Sequence, residues 1–286
     1  MSRQTAVAPP PLPSLWEYAA PADWRSVDFI SDLHLSADTP RTFDAWSAYL
    51  RTTDADAVFI LGDLFEVWAG DDSRHDEFEA RCANELAEAA CRRTVGFMAG
   101  NRDFLVGLDM LRECGVVALP DPTVLQAFGL RVLLTHGDAL CLDDTKYQQF
   151  RALVRSEAWQ QDFLAKPLDE RRRFARAVRN ESEQLKRQLP TPMDWADVDG
   201  AAAVRWLHEA GATTMVHGHT HHPGSEPLAP GMLRHVLSDW ELDHPPLRAE
   251  VLRLSARGFR RITPPGVALT TAPGVAPITP PGAARP

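Results

Sequence analysis

Cysteine is scarce in this chain. Its four residues, Cys82, Cys91, Cys114 and Cys141, include no C-x-x-C pair and lack the density of a disulfide-built scaffold. They read as reduced cysteines of a cytoplasmic protein. Positive charge is also short, with 30 Lys and Arg against 39 Asp and Glu for a formal charge of −9. That balance excludes nucleic acid as a general partner, since phosphate backbones need a basic face. An anionic substrate must instead meet local cations or a metal. No apolar run reaches the twenty or so residues of a spanning helix, so membrane contact is expected to be peripheral. The opening "MSRQTAVAPPPLPSLWEYAAPADW" has one arginine, an early proline cluster and no continuous apolar stretch, and so fails the signal-peptide pattern. Residues 1–26 are expected to be a flexible leader, and "ITPPGVALTTAPGVAPITPPGAARP" from 262 to 286 a disordered Pro-rich tail.

What remains is apolar enough, at 44% hydrophobic residues, for a sizeable core. From residue 27, runs of strand length alternate with segments of helical period. "VDFIS" precedes "TFDAWSAYL", where Phe43, Trp46 and Leu50 recur at helical spacing; "AVFIL" precedes "DEFEARCANELAEAA". "TVGFMAG", "GVVAL", "TVLQAF", "RVLLTH", "TTMVHGH", "MLRHVLS" and "RAEVLRL" are further strand candidates, and Gly129 marks a hairpin between "TVLQAF" and "RVLLTH". The alternation predicts an α/β fold with strands under helices, sheet packed on sheet, in one domain over 27–261. A helical insertion at about 145–199 breaks the rhythm. It mixes Trp159, Phe163, Leu164 and Phe174 with a crowd of arginines, which suits either a solvated amphipathic insertion or a lid with cations for an anionic ligand.

The strand candidates end unusually. "VDFISDLHL" breaks off at Asp32 and His34; "FILGDLF" delivers Asp63; "GFMAGNRDF" delivers Asn101, Arg102 and Asp103; "VLLTHGD" delivers His136; "MVHGHTHH" delivers His217 and His219. One D-x-H is most often an ordinary strand end. Five apolar runs ending in Asp, Asn or His, four of them beside a glycine, point to a shared site, because open α/β sheets bind ligands outside the carboxyl ends of their strands. Mixed N/O donors without thiolate suit two divalent metals, manganese, iron or zinc. Asp32, His34 and His219 are expected at one ion and Asn101, His136 and His217 at the other, with Asp63 bridging. Two such ions serve an in-line displacement at phosphorus. His221 and His222 read as surface residues, and Asp103 fits either a ligand or an orienting group.

In this order, D-x-H, G-D, G-N-x-D, H and G-H-x-H resemble the signature of the calcineurin-like metallophosphoesterases. The resemblance implies two packed β-sheets flanked by helices, and a dimetal enzyme. Arg102 departs from the pattern, since many members carry histidine there, and it points to a cation holding phosphate rather than a histidine acid. The words "GDLFEVWAGDD", "GNRDFL", "HGDALCLDDTKYQQFR" and "HGHTHHP" further resemble the diphosphatases of lipid A biosynthesis. That likeness implies UDP-2,3-diacylglucosamine as substrate, cleaved at its α-phosphorus by a two-metal-activated hydroxide to UMP and 2,3-diacylglucosamine 1-phosphate (lipid X). It implies Mn2+ as cofactor, and substrate contacts at Asn101, Arg102, Asp144, Ser182, Lys186 and His217. A further basic contact falls on Leu189, a departure. The expected place is the cytoplasmic face of the inner membrane, held peripherally at an anionic lipid surface, with no obligate protein partner. Two other functions fit less well. A metallophosphoesterase for soluble nucleotides or phosphodiesters has less use for an apolar lid, and a non-catalytic scaffold has no reason to keep every candidate ligand.

Overall fold

The computed structural model of the chain describes residues 12–188 and 197–267, with side chains given for all of these except 181–188. Two six-stranded mixed sheets pack face to face. The first runs β12 (Gly258–Ile262), β11 (Val251–Ser255), β2 (Ser26–Ile30), β3 (Ala57–Leu61), β4 (Thr94–Met98) and β5 (Val117–Ala118). The second runs β1 (Trp16–Ala19), β6 (Thr123–Ala127), β7 (Leu130–Leu134), β8 (Thr214–His217), β10 (Met232–Val236) and β9 (Gly224–Ala229).

Every residue of β2 and β3 is buried, because both faces of these strands are covered. Val27, Phe29, Phe59 and Leu61 face Leu125, Val132, Leu134 and Val216 of the other sheet. Their alternates Ile30, Val58 and Ile60 face outward, under α1 (Pro40–Thr52) and α2 (Glu77–Ala90). Phe43, Trp46 and Leu50 form the buried stripe of α1, as their spacing predicts. On the far side, α7 (Gly200–Glu209) lays Ala203, Trp206 and Leu207 over Leu133 and Met215. The expected β6–β7 hairpin is present, with left-handed Phe128 and Gly129 at its turn.

This packing aligns the site. Strands β2, β3 and β4 are mutually parallel, as are β7 and β8, so their carboxyl ends open on common edges. The two edges meet where the His219 backbone N–H donates to Asp32 and where Nδ1 of His136 lies 2.9 Å from the carbonyl of Leu61.

Three strands were not expected. Residues 16–19, assigned above to a flexible leader, form β1, paired in parallel with β6. β9 and β12 each close a sheet edge, β9 as the first half of a hairpin with β10 and β12 as the second half of one with β11. Residues 1–11 of the leader and 268–286 of the tail lie outside the described residues. The insertion is helical as expected, comprising α4 (Thr145–Val154), α5 (Glu157–Leu164) and α6 (Leu168–Gln188); α3 (Leu108–Glu113) precedes β5. No helix among the described residues is long and apolar enough to cross a membrane.

Candidate metal centre

Strands β2, β3 and β8 leave their sheets through sharp bends. Asp32, His34, Asp63, His219 and His221 all sit at positive φ, between 50° and 67°, a region that side chains other than glycine seldom occupy. Such strain persists where surrounding structure enforces it, and it gathers at functional sites. Gly62, at φ 90°, lets the β3 loop close on the β7 loop, since a Cβ there would fall 2.4 Å from Nδ1 of His136. At Gly100 a Cβ would fall 2.2 Å from Oδ1 of Asp63. The glycines beside the ligand candidates are therefore set by close approach.

The side chains converge in two groups. In the first, Oδ1 of Asp32 lies 3.3 Å from Nε2 of His221, and Nε2 of His34 lies 3.4 Å from the same nitrogen. In the second, Oδ1 of Asn101 stands 2.9 Å from Nε2 of His136 and 2.8 Å from Nδ1 of His219. Asp63 lies between them, with Oδ2 4.0 Å from His34 and Oδ1 3.7 Å from His136. Donor atoms of Asp32, His34 and His221 fall within 4.8 Å of one another, as do those of Asp32, Asp63 and His136.

The histidine pairing differs from the expected one. His221 was read as a surface residue, yet it is half-buried and takes the place beside Asp32 and His34 that had been given to His219. His219 takes the place given to His217. The G-H-x-H word runs over Gly218, His219, Thr220 and His221, and choosing the overlapping H-G-H shifted both assignments by two residues. His217 is fully buried, with Nδ1 2.9 Å from the Gly218 carbonyl and Nε2 without a hydrogen-bond partner among the described residues.

Electrostatics favour cations here. Asp32 and Asp63 are buried, and their ion pairs among the described residues are to histidines. Burial disfavours a charged His136, but Asp63, Asp32 and Asp138 outweigh it and lift its pKa to about 9. Burial, reinforced by His136, pushes His219 down to about 3, so this ring is a neutral donor. Buried carboxylates without Lys or Arg partners, beside ring nitrogens aimed at one amide oxygen, fit divalent metal ions. Asp103 plays another part: its carboxylate accepts from the backbone N–H of Gly100 at 2.8 Å and Leu64 at 2.8 Å, and so binds the β3 and β4 loops together. Arg102 donates its backbone N–H to Oδ1 of Asp63 at 2.8 Å, and its guanidinium lies 3.5 Å from Glu66. Glu66, which also lies 3.3 Å from Nδ1 of His34, was not singled out in the sequence, although it lies inside the word "GDLFEVWAGDD".

The insertion is latched beside the centre. Arg171, one of the crowded arginines of the insertion, is buried and forks onto Asp72 while donating to the carbonyl of Ala69; Arg172 pairs with Asp76. Trp68 donates to Asp71 at 3.1 Å, and Asp71 accepts from the N–H groups of Gly107 and Met110 around the start of α3. Trp159 stacks on Phe163 at 4.5 Å, and Phe163 meets Phe174 edge-on at 5.2 Å. Leu153, Leu164 and Phe174 stay exposed. Asp144 is exposed and caps α4, accepting from the N–H of Tyr147 at 2.9 Å. The side chains of Ser182 and Lys186, and the whole of Leu189, lie outside the described residues.

The calcineurin-like phosphoesterase model matches residues 25–223. A UDP-2,3-diacylglucosamine hydrolase of Chromobacterium violaceum is 43% identical over 75% of this chain and 90% of its own length. Proteins of that name from Ralstonia nicotianae and Aromatoleum aromaticum are 43% and 42% identical, over 88% and 91% of their lengths. Fold and relatives agree, and the chain belongs to the calcineurin-like phosphoesterase family, a family of metal-dependent hydrolases, beside relatives named UDP-2,3-diacylglucosamine hydrolase.

Proposed function

We propose that this chain hydrolyses the pyrophosphate bond of UDP-2,3-diacylglucosamine, giving UMP and 2,3-diacylglucosamine 1-phosphate for lipid A biosynthesis. The observation that carries the reading is the convergence of Asp, Asn and His side chains from five strand ends in a chain 43% identical to a hydrolase bearing that substrate's name. Asp32, His34 and His221 would hold one divalent ion and Asn101, His136 and His219 the other, with Asp63 shared. These mixed nitrogen and oxygen donors admit manganese, iron or zinc, and the resemblance to the lipid A diphosphatases favours manganese among them. Bound there, the ions supply Lewis acidity, making water a nucleophile at neutral pH and offsetting charge on phosphoryl oxygens. Arg102 offers a planar fork to the phosphate as charge develops, and the Asn101 amide and the His219 ring line the same wall.

The insertion serves as the lid. Leu153, Leu164 and Phe174 offer apolar surface to the acyl chains, and the exposed Arg173 and Arg176 flank Phe174. Apolar side chains ringed by cations suit a peripheral place on the anionic cytoplasmic face of the inner membrane. Asp144, Ser182 and Lys186 are substrate contacts in this reading. The test is turnover by manganese-loaded protein of UDP-2,3-diacylglucosamine, UDP-N-acetylglucosamine and bis-p-nitrophenyl phosphate. Strong preference for the first is expected. Equal kcat/KM for the soluble substrates would overturn the lipid assignment in favour of a soluble nucleotide or phosphodiester.

A further inference from the structure

Glu66 occupies a junction that the ligand motifs do not account for. It follows Asp63 by three residues on the loop after β3, and its backbone N–H donates to the Leu35 carbonyl at 3.1 Å. Leu35 and Phe65 form a parallel bridge at the same place, so the backbone carrying Glu66 is fixed to the one carrying His34. The side chain is only 13% exposed. Its Oε2 lies 3.3 Å from Nδ1 of His34, the ring nitrogen opposite the one that faces Asp63 and His221. Its Oε1 lies 2.6 Å from Nε of Arg179, on α6, and 3.5 Å from Arg102. Burial opposes charge on this carboxyl, but His34, Arg102 and Arg179 prevail and hold it below the ordinary carboxylate range.

We infer that Glu66 is a positioning residue that fixes His34 with Nε2 turned to the metal and joins the lid helix α6 to the same site through Arg179. The inference rests on the metal-centre reading of the proposed function. A carboxylate beside the outer nitrogen of a ligand histidine holds the Nδ1–H tautomer, leaves the Nε2 lone pair for the metal and raises its basicity. With Oε1 engaged by Arg179 and Arg102, one side chain meets a ligand, a phosphate-holding cation and the lid. Displacing the lid removes a guanidinium from the carboxylate that orients His34, and loss of the metal at His34 releases a constraint on the lid.

The experiment uses chelator-stripped full-length chain and its Glu66→Gln variant, with Mn2+ titrated calorimetrically. One of the two sites in the variant is expected to weaken by about 10- to 100-fold, the usual range for removing such a partner, while the other holds. Nitrogen-15 spectra of histidine-labelled, metal-free protein should show His34 leaving a single Nδ1–H tautomer. In the wild type, added Mn2+ should slow amide exchange in α6 between 168 and 180, and in Glu66→Gln it should not. Wild-type affinity at both sites, in a variant with a normal melting temperature, would overturn the positioning role. Unchanged metal-dependent protection of α6 would overturn the coupling. Should Glu66→Gln fail to fold, Glu66→Asp keeps the charge but draws it back by one methylene. It should show the same one-site loss, and wild-type binding by it would overturn the role equally. These readouts use no substrate, so failure of the wild type to cleave UDP-2,3-diacylglucosamine would overturn the proposed function alone.

Discussion

At the scale of single residues, the two histidines that overlapping words confused make a direct test. His221 stands 3.3 Å from Asp32, so His221→Ala should reduce bound Mn2+ from two per chain toward one, as His34→Ala should, read by elemental analysis after gel filtration. Asp63 faces both groups, and Asp63→Asn should weaken both ions and abolish turnover while the fold persists. Two ions retained in either variant would contradict the arrangement. Arg102 separates from the ligands, since its guanidinium meets Glu66 rather than a ligand nitrogen. Arg102→Ala should lower kcat by about 10²- to 10³-fold, the range for losing a donor aimed at developing charge, with metal content unchanged. Lysine should restore only part, because it lacks the planar fork. The convergence of the strand-end side chains was legible because desolvating Asp and His at the close of an apolar run demands a reason. His221 was not, because H-G-H and H-T-H carry the same spacing and only the fold shows which rings turn inward. Glu66 lies inside the word "GDLFEVWAGDD" but carried no role there, as its partners come from three separate segments.

Among elements, strands at the middle of a sheet read clearly and strands at its edge did not. β2 and β3 are continuous apolar runs because both faces are covered. β1 is four residues with mostly exposed side chains, and its partner β6 begins at Thr123, so no local pattern announces it. β9 contains Pro227, which suits the edge place it takes, but in sequence argues against a strand. The arginines of α6 read as a basic face, yet Arg171 is an internal latch. Arg171→Ala should cost about 1.5–3 kcal/mol, as for hydrogen bonds to a charged group, and release α6 before the sheets unfold. Hydrogen exchange should then quicken between 168 and 180 while the amides of β2 and β3 keep their protection. If exchange quickened uniformly, the insertion would not be a separable unit. A loosened lid should also raise KM more than it lowers kcat.

For the molecule as a whole, stability depends on the seam where the two sheets' edges meet. Arg261 of β12 reaches from the first sheet to the second, donating to the carbonyls of Gly224 at 2.5 Å and Val236 at 2.8 Å. Phe259, also on β12, packs 4.3 Å from the ring of His235 on β10. His235 is buried there, with Nδ1 2.7 Å from the Ser225 hydroxyl and Nε2 without a hydrogen-bond partner. Burial first, and then the Arg261 charge, push its pKa down to about 4. An unfolded histidine titrates near 6.5, so between about pH 4 and 6.5 the unfolded chain binds the extra proton. Stability from this group is therefore complete above about pH 6.5 and is lost as the pH falls toward 4, amounting at most to about 3 kcal/mol. Urea midpoints of the wild type and His235→Gln, taken on metal-free protein from pH 7.5 to 4, isolate the effect, since other titrating groups are common to both. The wild type should lose about 3 kcal/mol more than the variant across that range. Parallel curves would mean that His235 takes up its proton inside the folded seam, and that Arg261 and Phe259 do not close the joint against charge.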